Sequence, residues 1–401
     1  MSSLDINNQK VDKLDEPNDN QKHFVTFAKM NKYFLFPFLC PIFCMLANYF
    51  SNKIIFSKAK ISDYFLLTYV EFTYVVGGLI YFISYSKKTN NDLDDSYSKR
   101  LKLLKKYKKE VKKDIKKKWL IILAISVLTI IYIVSVGLYR DRHLFEPRLY
   151  FLLFIPFFTK FILKEEIYKH QYLSLIITIF AIILLIIPVC LVFEVEDIVP
   201  NIINLIGGVS YSLMLILIKY IMLTYYMPPL LICLLIGVIS AIITFIGFFV
   251  FSLINYHDLS YFIDLLDFSE AENKTTLIIY LILGFLLFSA LNVFTFLVIF
   301  YFSPILLLVT DIISPMLQWV VATIENGPIM PDAVFNPIGY CITLLSSLIY
   351  NEIIILNFCG LNENTKKFVQ YRQTEESIEL TKAENEIKLE DSKNEDDNDY
   401  D

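Results

Sequence analysis

The sequence predicts an all-α membrane protein of ten transmembrane helices arranged as two inverted five-helix repeats. Three observations predict it. Of the 401 residues, 56% are hydrophobic and 15% aromatic while only 19% are charged, against roughly a quarter charged in an ordinary soluble domain. That charge is confined to the two tails and a few short loops. Between them, apolar runs of about 20 residues recur, long enough to cross a bilayer as helices.

The chain opens on a polar tail, MSSLDINNQKVDKLDEPNDNQK, expected to be disordered and cytosolic over 1–32. It has no cleavable leader pattern, so the first span acts as the anchor. The apolar runs then read as spans at 33–51, 64–85, 119–139, 148–163, 172–193, 199–223, 229–254, 276–302, 304–324 and 335–358. Phe302-Ser-Pro304 is the break between the eighth and ninth. From Glu363 onward the tail carries thirteen acidic residues and few apolar ones, so 361–401 is expected to be disordered.

Charge sets the orientation. With the N-terminus cytosolic, 29 of the 36 Lys and Arg fall on the cytosolic side, fourteen of them in the 86–118 loop alone. This is the positive-inside pattern, and it puts both termini in the cytosol. Asn273-Lys-Thr275, a glycosylation sequon, then falls on the other side, where the modification occurs. Ten spans divide into 33–193 and 199–358. An odd number per half turns the halves opposite ways, the plan of many secondary transporters.

Within the basic loop, KRLKLLKKYKKEVKKDIKKKW at 99–119 spaces Leu101, Leu104, Tyr107, Val111 and Ile115 at helical intervals. An amphipathic helix with a basic face is expected there, suited to an anionic leaflet rather than to nucleic acid. The alternative is a topology determinant that happens to be helical. The six cysteines, Cys40, Cys44, Cys190, Cys233, Cys341 and Cys359, lie in or beside apolar runs. No disulfide framework is expected. Cys40 and Cys44 share a helical face, but a metal site usually needs four ligands and no histidine is near.

Between the fourth and fifth spans sits KFILKEEIYKHQYLSL, with six ionisable residues from Lys160 to His170. A cytosolic turn explains it: the charges need water and the flanking spans need lipid. The same stretch carries a pattern running from Arg148 and Phe154 through Phe161-Ile-Leu-Lys164 to His170-Gln171 and Leu175. It resembles the drug/metabolite transporter superfamily, in particular the solute carrier family 35 type of nucleotide-sugar and triose-phosphate transporters, with chloroquine-resistance-transporter-like relatives. YSLMLILIKYIMLTYYMPPLLICLLIG at 211–237 is similar to that family's Lys-Tyr-containing sixth span and Tyr-x-Pro turn. FYFSPILLLVTDIISPM at 300–316 and IGYCITLLSSLIYNEIIILNFCGL at 338–361 are similar to its ninth and tenth spans. Leu149 stands where the family has a small residue, and the fourth span is rich in Phe, so the resemblance does not name a solute.

Ionisable groups inside a bilayer cost on the order of 2.5–3.5 kcal/mol each, so every exception calls for a motive. Arg148 is expected at the non-cytosolic mouth of the fourth span and Lys219, with Tyr220, near the cytosolic end of the sixth. Snorkelling is the bland reading of both; an anion-binding pair contributed by opposite halves is the functional one. Glu71 and Asp311 stand about seven residues into their spans, near 10 Å deep at ~1.5 Å per residue. Neither has an opposite charge one turn away. Glu71 is a candidate for proton coupling, against a carboxylate paired across helices. Asp311, between Pro304 and Pro315, is a candidate cavity group in a broken helix. Asn292, Gln318, Tyr74, Ser210, Tyr211 and Ser212 are weaker candidates, because such groups more often bond neighbouring helices than ligands. Gly77-Gly78 and Gly207-Gly208 are expected to allow close helix approach, with a hinge as the alternative for the second pair.

The resulting expectation is a secondary transporter of a polar organic solute, such as a nucleotide sugar, phosphorylated metabolite, amino acid or small peptide. It is expected to use no cofactor and no metal, to meet a small-molecule substrate and anionic lipid, and to form a homodimer. Golgi or vacuolar/lysosomal membranes are preferred over the plasma membrane. A membrane receptor or scaffold is the alternative. A polytopic transferase is disfavoured, because no span boundary carries a His-Asp pair, a metal cluster or a Gly-rich phosphate loop.

Overall fold

The computed structural model describes residues 35–55, 60–88, 111–137, 147–164, 166–191, 194–225, 227–255, 266–267, 274–302, 304–327 and 332–357, with isolated positions beyond. In chain order the helices are α1 (Leu35–Ile55), α2 (Asp63–Lys88), α3 (Val111–Gly137), α4 (Pro147–Phe158, extended by a π turn at Thr159–Leu163) and α5 (Lys169–Leu191). Then follow α6 (Ile198–Tyr225), α7 (Pro229–Asn255), α8 (Lys274–Tyr301), α9 (Pro304–Asn326) and α10 (Asp332–Tyr350). A two-residue antiparallel bridge joins β1 (Lys60–Ile61) to β2 (Leu266–Asp267). It ties the α1–α2 connection to the α7–α8 connection.

Helices are what such a sequence must form, since lipid offers no partner to a backbone N–H or carbonyl. Among the described residues five helices are long and apolar enough to cross a membrane: Lys116–Ser135, Lys169–Leu191, Val195–Tyr225, Pro229–Ile254 and Lys274–Tyr301. Shorter apolar helical stretches run over Leu39–Ser51, Tyr64–Ile80, Leu153–Leu163 and Val334–Tyr350. This is the make-up of an all-α integral membrane protein. The packing has the matching polarity. On α5 the exposed side chains include Ile176, Ile179, Phe180 and Ile183, while Ser174, Thr178 and Ala181 are among the buried ones, with Ile182 and Leu185. Small and hydroxyl-bearing residues face the neighbouring helices and large apolar ones face outward.

The most extensive helix pairs are α2 with α7, α1 with α8, α5 with α10 and α3 with α6. Next come α4 with α6, α1 with α9, α2 with α8, α3 with α7 and α9 with α10. A continuous core of buried side chains joins these pairs, including Phe151 and Ile155 of α4, Met214 to Ile221 of α6, Ile232 and Ile236 of α7 and Phe296 to Ile299 of α8.

Three details differ from the sequence reading. The tenth helix was expected to reach 358 but ends at Tyr350. There Glu352 takes a left-handed conformation (φ 57°), and the amides of Glu352 and Ile353 fold back onto the carbonyls of Ile349 and Leu348. Asn351 adds a side-chain bond to Ser347 O at 2.9 Å, so polar residues close the helix early. Residues 111–118 of the basic loop are the first turns of α3 and continue without a break into the apolar run; 89–110 lies outside the described residues. His170, placed by the sequence in a watery turn, is completely buried in the first turn of α5. Lys164, Glu166 and Lys169 around it are exposed as expected.

Candidate functional site

The polar interior is built on α2 and the helices beside it. Glycines make the contact close. A Cβ on Gly78 would lie 2.6 Å from Leu234 N, and one on Gly237 would lie 2.8 Å from Val75 N. The two glycines are therefore the points where α2 and α7 touch backbone to backbone. Gly77, next to Gly78, meets Val293 and the Ser289 carbonyl of α8. At the same crossing the Cys233 thiol points to Tyr74 O at 3.4 Å.

Seven residues before Gly78 on α2, and seven after Gly237 on α7, stand Glu71 and Thr244. Thr244 donates its hydroxyl to Glu71 Oε1 at 2.5 Å. Glu71 is completely buried, and its Oε2 has no hydrogen-bond partner among the described residues. On the opposite side of α2, the Asn292 amide of α8 donates to Thr73 Oγ1 at 2.8 Å. Thr73 in turn bonds the Val70 carbonyl. Tyr69 reaches across to Leu281 O at 2.7 Å, beside Gly284.

Lys219 lies between α6 and the end of α8. Its ammonium donates to three carbonyls, Ile299 at 2.8 Å, Phe302 at 3.2 Å and Phe300 at 3.3 Å. The sequence explains why these oxygens are free to accept. The residue four after Phe300 is Pro304, which has no N–H to offer, so the last turn of α8 has orphan carbonyls. A cation at this negative end of the helix is stabilised. In this conformation Lys219 serves as a helix cap. Tyr220 beside it is half-buried.

Three rings from three helices converge earlier along α6. Tyr211 of α6 lies 4.4 Å from both Tyr132 of α3 and Phe151 of α4, centroid to centroid, and Tyr132 and Phe151 are 6.2 Å apart. Arg148 stands one turn before Phe151 on α4. The backbones of Arg148 and Asp311 are helical, but their side chains lie outside the described residues. Asn273 also lies outside them.

At the α5–α10 seam, Ser174 donates to Ser346 O at 2.7 Å and Ser346 donates to Ser174 O at 2.6 Å. Thr178 lies 2.6 Å from the Ser346 hydroxyl. At the cytosolic end of this seam by the sequence reading, His170 has both ring nitrogens buried without a partner among the described residues.

The structure thus points Glu71 from one side of α2 to Thr244 of α7, brings Asn292 of α8 to the other side at Thr73, and sets Lys219 apart, on α6. Sequence reasoning missed Thr244, Thr73 and Ser346. Hydroxyl residues are common in membrane spans and carry no signal of their own; the seven-residue spacing from each glycine shows only once the glycines are known to touch. No protein-family model matches the chain, and no curated protein matches it.

Proposed function

We propose that this chain is a secondary transporter that moves a polar organic solute by alternating access between two inverted five-helix halves. One observation carries the reading: the most extensive helix pairs map onto one another when each helix is exchanged for the one five places along. The exchange takes α1–α8 to α3–α6, α1–α9 to α4–α6 and α2–α8 to α3–α7. It returns α2–α7 and α5–α10 to themselves. The contacts inside the self-paired seams are reciprocal as well. Gly78 meets Leu234 as Gly237 meets Val75, with the same offset of 159 between the members, and Ser174 and Ser346 exchange hydroxyls. Such reciprocity supports an inverted repeat with its two-fold axis running through both seams. A sheath of one half rocking on the other is the physical basis of alternating access.

On this reading the family is the drug/metabolite transporter superfamily suggested by the motifs, and the termini are cytosolic in an endomembrane. Arg148, Tyr220, Asp311 and Asn292 contribute to solute binding. Lys219 joins them only in a conformation in which it leaves the α8 carbonyls, since all three of its donors are engaged here. The basic 99–118 stretch binds anionic lipid.

The test is counterflow in proteoliposomes, using the full chain loaded in turn with nucleotide sugars, sugar phosphates, amino acids and small peptides. Saturable exchange of one class, retained after deletion of 363–401, is expected. Absence of exchange for every class by correctly inserted protein, with partner binding through the tails, would favour the receptor or scaffold.

A further inference from the structure

We propose that Glu71 is a proton-binding site that couples proton movement to the opening of the α2–α7 seam; this rests on the transport reading above and deepens it. The argument begins with what surrounds the carboxyl. It is completely buried, one oxygen is held by Thr244 and the other has no partner among the described residues. Burying a carboxylate as the anion with neither a cation nor a full set of donors is costly.

No compensating cation is near in the sequence of the packed elements. α7 contains no Lys, Arg, His, Asp or Glu, and Cys233 is its one ionisable side chain. α8 offers Lys274, Tyr280 and Tyr301. Lys274 is eighteen residues from Asn292, roughly 27 Å along the helix at ~1.5 Å per residue. α3 offers Tyr132 and the charged run within 112–118 at its start. On α2 itself Tyr69 and Tyr74 are the nearest ionisable groups, and Tyr69 is engaged with Leu281 O.

The placement of Glu71 gives the coupling. The helices touch backbone to backbone at Gly78 and Gly237, which makes that crossing the fulcrum of any rocking between them. Glu71 and Thr244 each stand seven residues beyond it, about 10 Å at ~1.5 Å per residue, on the same side. There a small rotation separates the helices, as it does not at the crossing itself. In the closed seam the carboxyl holds a proton. When the seam opens, water enters, the Thr244 contact is lost, and the proton passes from the carboxyl oxygen to water on that side. Reclosure requires a proton to return from water to the carboxylate.

The test needs no solute. Hydrogen exchange of the full chain in liposomes is followed over residues 64–85 and 229–254 as a function of pH, for the parent and for Glu71→Gln. The ratio of the two cancels the intrinsic pH dependence of amide exchange. It should be near one at low pH and rise to at least roughly fivefold at high pH, the lower range of coupling between linked sites. Infrared titration should in parallel show a protonated-carboxyl band that Glu71→Gln removes. Thr244→Val, which keeps the carboxyl, should retain the pH dependence with a displaced midpoint, and it serves as the test if Glu71→Gln does not fold. A pH-independent ratio, or an infrared band unchanged in Glu71→Gln, overturns the proposal. A rising ratio in a protein that exchanges no solute would leave the proton site standing and remove the transport reading. Solute exchange with a flat ratio would do the reverse.

Discussion

Ser174 of α5 and Ser346 of α10 each donate a hydroxyl to the other's backbone carbonyl, at 2.7 and 2.6 Å. A hydroxyl has one hydrogen to give, so both serine donors are used, and Thr178 joins the pair at 2.6 Å from the Ser346 hydroxyl. Interhelical bonds of this kind contribute about 0.6 kcal/mol on average within membranes. Ser174→Ala and Ser346→Ala should each lower thermal stability by about that amount. The double variant should cost less than the sum, because removing one partner disturbs the other. Strict additivity in thermal unfolding would show that the two bonds are independent.

The glycines at the α2–α7 crossing give a sharper contrast. Gly78→Ala and Gly237→Ala each push a methyl group into backbone and should destabilise by about 1–3 kcal/mol. The two losses should be similar, since the contacts are reciprocal. Gly247, on the same helix, has nothing within 4 Å of its would-be Cβ, so Gly247→Ala should be neutral or stabilising by up to about 1 kcal/mol. Melting temperatures of the three variants in detergent decide it. Equal losses at 237 and 247 would refute close approach as the reason for glycine.

How much of this was legible in the chain depends on which physics writes it. The helices were legible, because each needs a run of apolar residues and charged or proline-bearing breaks mark their ends. The end of α10 was not: the 351–358 stretch is still apolar on average, and a left-handed Glu352 leaves no compositional mark. Glu71 and Asn292 stood out because an ionisable or amide group in a span is rare. Their partners Thr244 and Thr73 did not, since hydroxyl residues are tolerated almost anywhere in a helix. His170 was misread for a related reason. Its charged neighbours Lys164, Glu166 and Lys169 are exposed, and only the turn of α5 rotates the imidazole inward.

Topology can be checked apart from any solute. Asn273 should be glycosylated when the chain is made with microsomes, and the 363–401 tail, on the opposite and outward-facing cytosolic side, should be cleaved by protease added to the sealed vesicles. A tail cleaved from the glycosylated side of sealed vesicles would remove the orientation and, with it, the even number of spans.

Arg148 and Lys219 can be told apart by two readouts. Lys219 caps α8 through three carbonyls, and hydrogen bonds from a charged donor contribute about 1.5–3 kcal/mol each at most, less where water competes. Lys219→Gln should therefore lower the melting temperature measurably, whatever it does to transport. Arg148 sits in the first turn of α4, and Arg148→Gln should leave stability nearly unchanged while raising the apparent KM for an anionic solute. If Lys219 also meets the solute after leaving the carbonyls, Lys219→Gln should raise KM as well, beyond what the loss of folded protein explains. Uptake normalised to inserted, folded protein separates these effects. Should both variants retain the parent KM, neither cation reads the solute; Lys219 is then a helix cap alone, and a neutral or cationic solute becomes the better assignment.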